Sequence, residues 1–101
     1  MKLEIDTTES DKVSINLDGK KYEAQKKDRK SQELLKLIDK ALKEQDKTPS
    51  DLSEISINPG PGSYTGLRVG LSVANTMSWV LRIPINGKKV WEGEVVELVY
   101  D

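Results

Sequence analysis

The stretch that most constrains this chain runs from Asn58 to Leu81 and reads Asn-Pro-Gly-Pro-Gly-Ser-Tyr-Thr-Gly-Leu-Arg-Val-Gly-Leu-Ser-Val-Ala-Asn-Thr-Met-Ser-Trp-Val-Leu. The alternation of Ile55 and Ile57 before it predicts a strand, which turns sharply through Pro59–Gly62 into a helix. Gly60 and Gly62 supply the backbone freedom that such a turn needs, and Ser63 or Thr65 supplies a side-chain oxygen to cap the helix. Within the helix, Gly66, Gly70, Ala74 and Ser78 recur every four residues and so form one row, while Val69, Val73, Met77 and Val80 form a bulkier stripe. A helix apolar on two sides is expected to lie on a sheet with one and to meet a partner helix with the other, within the chain or on another subunit, the small row permitting close approach. Val69 to Leu81 is shorter than the roughly 20 residues of a membrane span and is interrupted by Asn75, so no membrane partner is expected.

The rest of the chain supplies the sheet. Leu3 and Ile5 alternate with polar neighbours over residues 2–6, and a polar turn follows at Asp6–Asp11. Val13, Ile15 and Leu17 mark a second strand, and Asp18-Gly19 is a two-residue hairpin signal that returns the chain as a third strand, Lys20–Lys26. Lys26–Lys30 reads as a solvated charged loop. Ser31 is expected to cap a helix reaching about Gln45, with Leu34, Leu35, Ile38, Ala41 and Leu42 as its apolar stripe and Leu37 on the flank. Pro49–Leu52 suits a short helical turn, and Glu54–Asn58 a fourth strand. Strand, helix and a fifth strand at Arg82–Asn86 make a right-handed crossover, so the last two strands should be parallel. From Gly87 to Asp101 the alternation suggests a terminal hairpin around Gly93, with Trp91, Val96, Leu98 and Tyr100 covering apolar surface.

Composition removes whole classes of chemistry. The 101 residues make one domain, and Lys+Arg 16 against Asp+Glu 17 leaves no basic field, so direct nucleic-acid binding is not expected. The absence of cysteine and histidine rules out disulfides, thiolate nucleophiles, histidine acid–base catalysis and zinc sites built from those ligands. No charged-then-apolar leader opens the chain, which makes a cytoplasmic location the expectation. The Pro59–Gly62 turn lacks the Gly-Lys-Ser/Thr ending of a phosphate loop. Neither a metal site, a cofactor nor a catalytic residue is expected.

Residues 57–75 resemble the signature of the bacterial TsaB family, in which a Gly-Pro-Gly-Ser-aromatic-Thr-Gly-Leu-Arg-hydrophobic-Gly run opens the second helix. Leu3-Glu-Ile-Asp-Thr-Thr-Glu-Ser resembles the family's first strand and turn, and Ser31-Gln-Glu-Leu-Leu the start of its first helix. The resemblance covers residues 1 to about 87, the first half of a family member. It implies an α/β, RNase H-like half-domain of the actin/sugar-kinase superfamily, with a five-stranded mixed sheet and two main helices over residues 1–87, and the hairpin as an extension over residues 88–101.

By the same resemblance the chain is a non-catalytic scaffold that dimerises with a TsaD-type catalytic subunit through helices 31–45 and 64–81. That complex adds a threonylcarbamoyl group to tRNA adenosine with ATP. The implied interface is Leu34, Leu35, Ile38, Leu42, Tyr64, Gly66, Gly70, Ala74 and Ser78, and a homodimer through the same surface is expected without the partner. On this reading Gly70→Leu leaves a folded monomer that no longer associates. TsaD carries two metal-binding histidines on the equivalent first helix, and this chain has none, so a catalytic role is not expected. The superfamily places a nucleotide-phosphate turn where Asp6, Thr7 and Thr8 stand. A self-pairing nucleotide-binding half-domain is therefore the alternative function, alongside a degenerate paralogue, while the plain reading of those residues is a strand-ending turn held by Asp and Thr side chains.

Overall fold

Alternation of apolar and polar residues decides the sheet. Leu3 and Ile5 in β1 (Lys2–Asp6), Val13, Ile15 and Leu17 in β2 (Lys12–Leu17), Tyr22 in β3 (Lys20–Gln25), and Ile55 and Ile57 in β4 (Glu54–Ile57) are all buried. The computed structural model describes residues 1–25 and 30–100. Its sheet has the order β3-β2-β1-β4, with β1 antiparallel to β2, β2 antiparallel to β3, and β1 parallel to β4. Asp18 and Gly19 both have positive φ, 53° and 95°, as the two-residue hairpin turn requires.

Two helices cover the apolar face. α1 (Lys30–Glu44) turns Leu34, Leu37, Ile38, Ala41 and Leu42 inward, and α2 (Tyr64–Leu81) turns Leu67, Val73 and Ala74 inward. α1 begins before Ser31, which lies inside the helix and so is not its cap. Leu37 joins the core at 7% exposure, and Leu35 is left at 51%. Gln45 ties the end of α1 to the hairpin by donating to the Leu17 carbonyl at 2.9 Å. A 3-10 turn at Pro49–Asp51 leads into β4 as expected. No helix of the described residues is long and apolar enough to cross a membrane.

The fifth strand is not a strand. After α2, Arg82 takes a left-handed φ of 56° to end the helix, Pro84 has no N–H to donate to a ladder, and Asn86 turns away with φ 49°. What remains is a single parallel bridge between Ile55 and Ile85. The Pro84 carbonyl accepts from Ile55 N–H, Asn86 N–H donates to the Ile55 carbonyl, and the Asn86 side chain then pairs both ways with Ile57: its Oδ1 accepts from Ile57 N–H at 2.8 Å and its Nδ2 donates to the Ile57 carbonyl at 3.1 Å. A side-chain amide thus stands in for the next residue of a strand.

The terminal hairpin is absent among the described residues. Val90–Glu92 form a 3-10 turn ended by Gly93 at φ 91°, and the following residues run extended instead of folding back. Val96 is nonetheless buried, and Trp91 and Leu98 pack against the core, whereas Tyr100, expected to cover apolar surface with them, stays 40% exposed. Lys26, the Lys26–Arg29 part of the charged loop and Asp101 lie outside the described residues.

Candidate functional site

Three groups of residues were candidates from the sequence, and the structure separates them. The first is the turn Asp6-Thr7-Thr8. Asp6 ends β1, and its Oδ1 accepts from both the N–H and the hydroxyl of Thr8, at 3.0 and 2.7 Å, while its Oδ2 accepts from Asn58 Nδ2 at 3.3 Å. Ser63 N–H donates to the Thr8 carbonyl at 2.8 Å, so the glycine turn and the Asp6 turn are packed against each other. Partial burial raises the Asp6 pKa, but the Thr8 and Asn58 donors and the nearby Lys12 outweigh it and hold the carboxyl below its ordinary value. This is a structural clasp between two turns.

A carboxyl lowered in the folded state stabilises above its ordinary range and loses that contribution as pH falls through the folded value. Asp6→Ala is expected to cost about 1 kcal/mol at neutral pH, with water's access to the site limiting the effect. The gap between parent and variant urea midpoints should close on acidification. A gap that stays constant down to pH ~3, below the usual carboxylate range, would contradict the clasp.

The second group is the row Gly66, Gly70, Ala74 and Ser78, which was expected to meet a partner helix. All four are buried within the chain. A Cβ on Gly66 would stand 2.2 Å from the Thr7 carbonyl oxygen, and one on Gly70 2.4 Å from Thr7 Oγ1. The row is what lets α2 lie against the end of β1. Ser78 is fully buried and its hydroxyl donates to the Ile83 carbonyl at 2.5 Å, fastening the turn after the helix. Close approach was the correct physical inference, but the neighbour is the chain's own strand. Ser63 caps α2 by accepting from Gly66 N–H at 3.2 Å.

The third group lies on α1 and the outer side of α2. Leu34, Ile38 and Leu42 are core residues, exposed by 4% or less, so they cannot by themselves form a partner surface. Beside them, however, runs an apolar groove of about 300 Å³ between the two helices, lined by Leu35, Ile38, Leu42, Met77, Val80 and Leu81 among others. Leu35 and Val80 stand at its lips, 51% and 75% exposed, with Trp79 beyond at 53%. Tyr64, at the other end of α2, is 58% exposed. Sequence reasoning missed Val80 as a surface residue because it belongs to the stripe that was expected to bury itself, while Met77 of that stripe is partly buried against the core. It also missed Lys30, assigned to the solvated loop. Lys30 is 6% exposed and donates to the Glu9 carbonyl at 3.0 Å, and no local pattern announces such a buried lysine.

A polar depression, also about 300 Å³, lies on the helix-free side of the sheet among Glu4, Asp6, Ser14, Asn16, Ser56 and Asn58. Lys21 also lines it and Lys12 stands near the Asp6 carboxylate, but Asp6 is already hydrogen-bonded to Thr8 and Asn58, and Asn58 Oδ1 accepts from the Gly60 N–H at 3.1 Å. The site with unsatisfied surface is the groove between the helices.

Comparison with known proteins agrees with these elements. The family model for TsaD, tRNA N6-adenosine threonylcarbamoyltransferase, matches residues 23–92. The tRNA threonylcarbamoyladenosine biosynthesis protein TsaB of Bacillus subtilis (strain 168) is 51% identical over 45 residues, covering 45% of this chain and 20% of that protein. A tRNA N6-adenosine threonylcarbamoyltransferase of Persephonella marina (strain DSM 14350 / EX-H1) is 36% identical over 52 residues, covering 52% of this chain and 15% of that one. Among solved structures, YeaZ from Pseudomonas aeruginosa superposes with a TM-score of 0.71 at 24% identity, over 83% of this chain and 41% of the other. The chain therefore spans less than half the length of these relatives.

Proposed function

Because this chain belongs to the TsaD (tRNA N6-adenosine threonylcarbamoyltransferase) family and is TsaB-like within it, we propose that it is a non-catalytic subunit that docks a TsaD-type protein through the α1–α2 face. The process it serves on this reading is threonylcarbamoyladenosine biosynthesis, the role named for its relatives. One observation carries the docking proposal: the apolar groove between α1 and α2, with Leu35 and Val80 exposed at its lips. Contiguous apolar surface between two helices is suited to receive another helix, whose side chains would fill the groove as a further ridge. A non-catalytic role is supported by the structural engagement of the turn residues. Asp6 and Thr8 hold a turn, and Gly62, Gly66 and Gly70 of the signature pack on Thr7 and Thr8.

Light scattering after size exclusion tests this directly, on the chain alone and then mixed with a TsaD-type protein. A self-associated chain that converts to a mixed complex is the expected result. A chain that remains monomeric and indifferent to that protein would remove the docking role.

A further inference from the structure

Residues 94–100 cross the molecule as an extended strap over the glycine turn and the first turn of α2. Val99 N–H donates to the Pro59 carbonyl at 2.8 Å, and Gly62 and Tyr100 form a parallel bridge. The Val99 carbonyl lies so close to Gly60 that a Cβ there would be 2.0 Å away. At its end the strap places the Tyr100 ring against Tyr64, with centroids 4.7 Å apart, while the Arg68 guanidinium covers Tyr64 at 5.5 Å from the ring centre.

Leu98 also packs against the core, and Glu94 accepts from the Lys89 N–H at 2.6 Å. Val96 is its buried plug, whereas Val95 and Val99 are 71% and 56% exposed. It leaves the body at Gly93, which takes a positive φ of 91° and donates its N–H to the Val90 carbonyl at 3.1 Å. Tyr64 is the first member of a line, Tyr64, Arg68, Ser72, Thr76 and Val80, that repeats every four residues along the exposed crest of α2. Thr76 and Val80 of that line wall the groove described above.

We propose that residues 94–100 are an autoinhibitory strap: Tyr100 occupies the Tyr64 end of the α2 crest, so a partner packing along the whole helix engages it only after the strap swings away about Gly93. The inference rests on the docking role of α2. It is a competition between an intramolecular occupant and an external one, and the fraction of open chains scales the apparent affinity.

The chain contains no cysteine, so Val96→Cys in the full chain is a single buried thiol whose reaction with dithiobis(nitrobenzoate) reads strap opening. Leu98→Cys serves if that variant does not fold. Adding Tyr100→Ala is expected to speed labelling roughly tenfold, through loss of the ring pair and of the ring edge beside Arg68, with circular dichroism unchanged. An unchanged labelling rate would overturn the clasp. Saturating TsaD-type protein should also speed labelling, and Tyr100→Ala should tighten its binding by roughly tenfold. A partner that binds without changing the labelling rate overturns the autoinhibition but leaves the docking role intact. A partner that never binds overturns the docking role and with it the inhibition, and the labelling rates still decide whether Tyr100 clasps the strap.

Discussion

Gly70→Leu is expected to destabilise the fold of this chain itself, not to yield an unperturbed monomer that has lost its partner. A Cβ at residue 70 already meets Thr7 Oγ1 at 2.4 Å and Thr7 Cγ2 at 3.4 Å, and leucine adds three further carbons on the same line. Thr7 cannot yield. It is 3% exposed at the end of β1, between Asp6, which is clasped to Thr8 and Asn58, and Thr8, whose carbonyl receives Ser63. Relief therefore requires α2 to lift off the sheet, opening the core around Val73 and Ala74. Overpacking of this kind costs about 1–3 kcal/mol and occasionally more, against a total of about 5–15 for a domain of this kind. With each kcal/mol worth about 4–8 °C at this size, thermal unfolding should show a melting temperature lower by roughly 4–24 °C. A native spectrum and a melting temperature within a few degrees of the parent would mean that the α2–Thr7 packing is not as described. Gly66→Ala is a second check, because its smaller side chain meets backbone, the Thr7 carbonyl oxygen at 2.2 Å.

The opposite behaviour is expected of Val80→Asp. Val80 is 75% exposed and touches the groove only at its lip, so the free chain should keep its stability within about 0.5 kcal/mol. In a docked complex the same position would be closed over by the partner, and a carboxylate there would lose its water with no cation to replace it. An affinity loss on the order of a hundredfold or more is expected by titration calorimetry, in the range of a central interface residue. Leu35→Asp, on the facing lip, should behave in the same way, and the two together should not add fully if one partner element covers both. Unaltered affinity in both variants would place any partner surface elsewhere on the molecule.

These two variants also show where sequence was sufficient and where it was not. Strand periodicity, the Asp18-Gly19 hairpin, the Ser63 cap and both helices could be read locally, because each is decided by residues within a few positions of one another. Which side of α2 faces inward could not. Small residues at four-residue spacing permit close approach of a strand or of a helix equally, and the deciding neighbour, Thr7, is remote in sequence. Leu35 and Leu37 differ only by where the sheet happens to lie around α1, and apolar character is the same for both. The last fifteen residues alternate in a way that fits two paired strands or one extended strap. The left-handed Gly93 after a 3-10 turn selects the strap, and nothing short of three dimensions shows the carbonyl of Val99 over Gly60. The fifth strand was shortened by Pro84, whose missing donor was visible, and by Asn86, whose use of its side chain as a backbone substitute was not.

That asparagine also bears on aggregation. A sheet with an open margin can recruit a further chain, and that chain another, without limit. Here the β4 margin is occupied by Pro84, Ile85 and the Asn86 amide, while the β3 margin carries exposed Lys20, Lys21 and Glu23. Neither margin offers a flat apolar template, so growth by strand addition is blocked at both ends. Concentrated solutions should therefore be free of fibres built by strand addition.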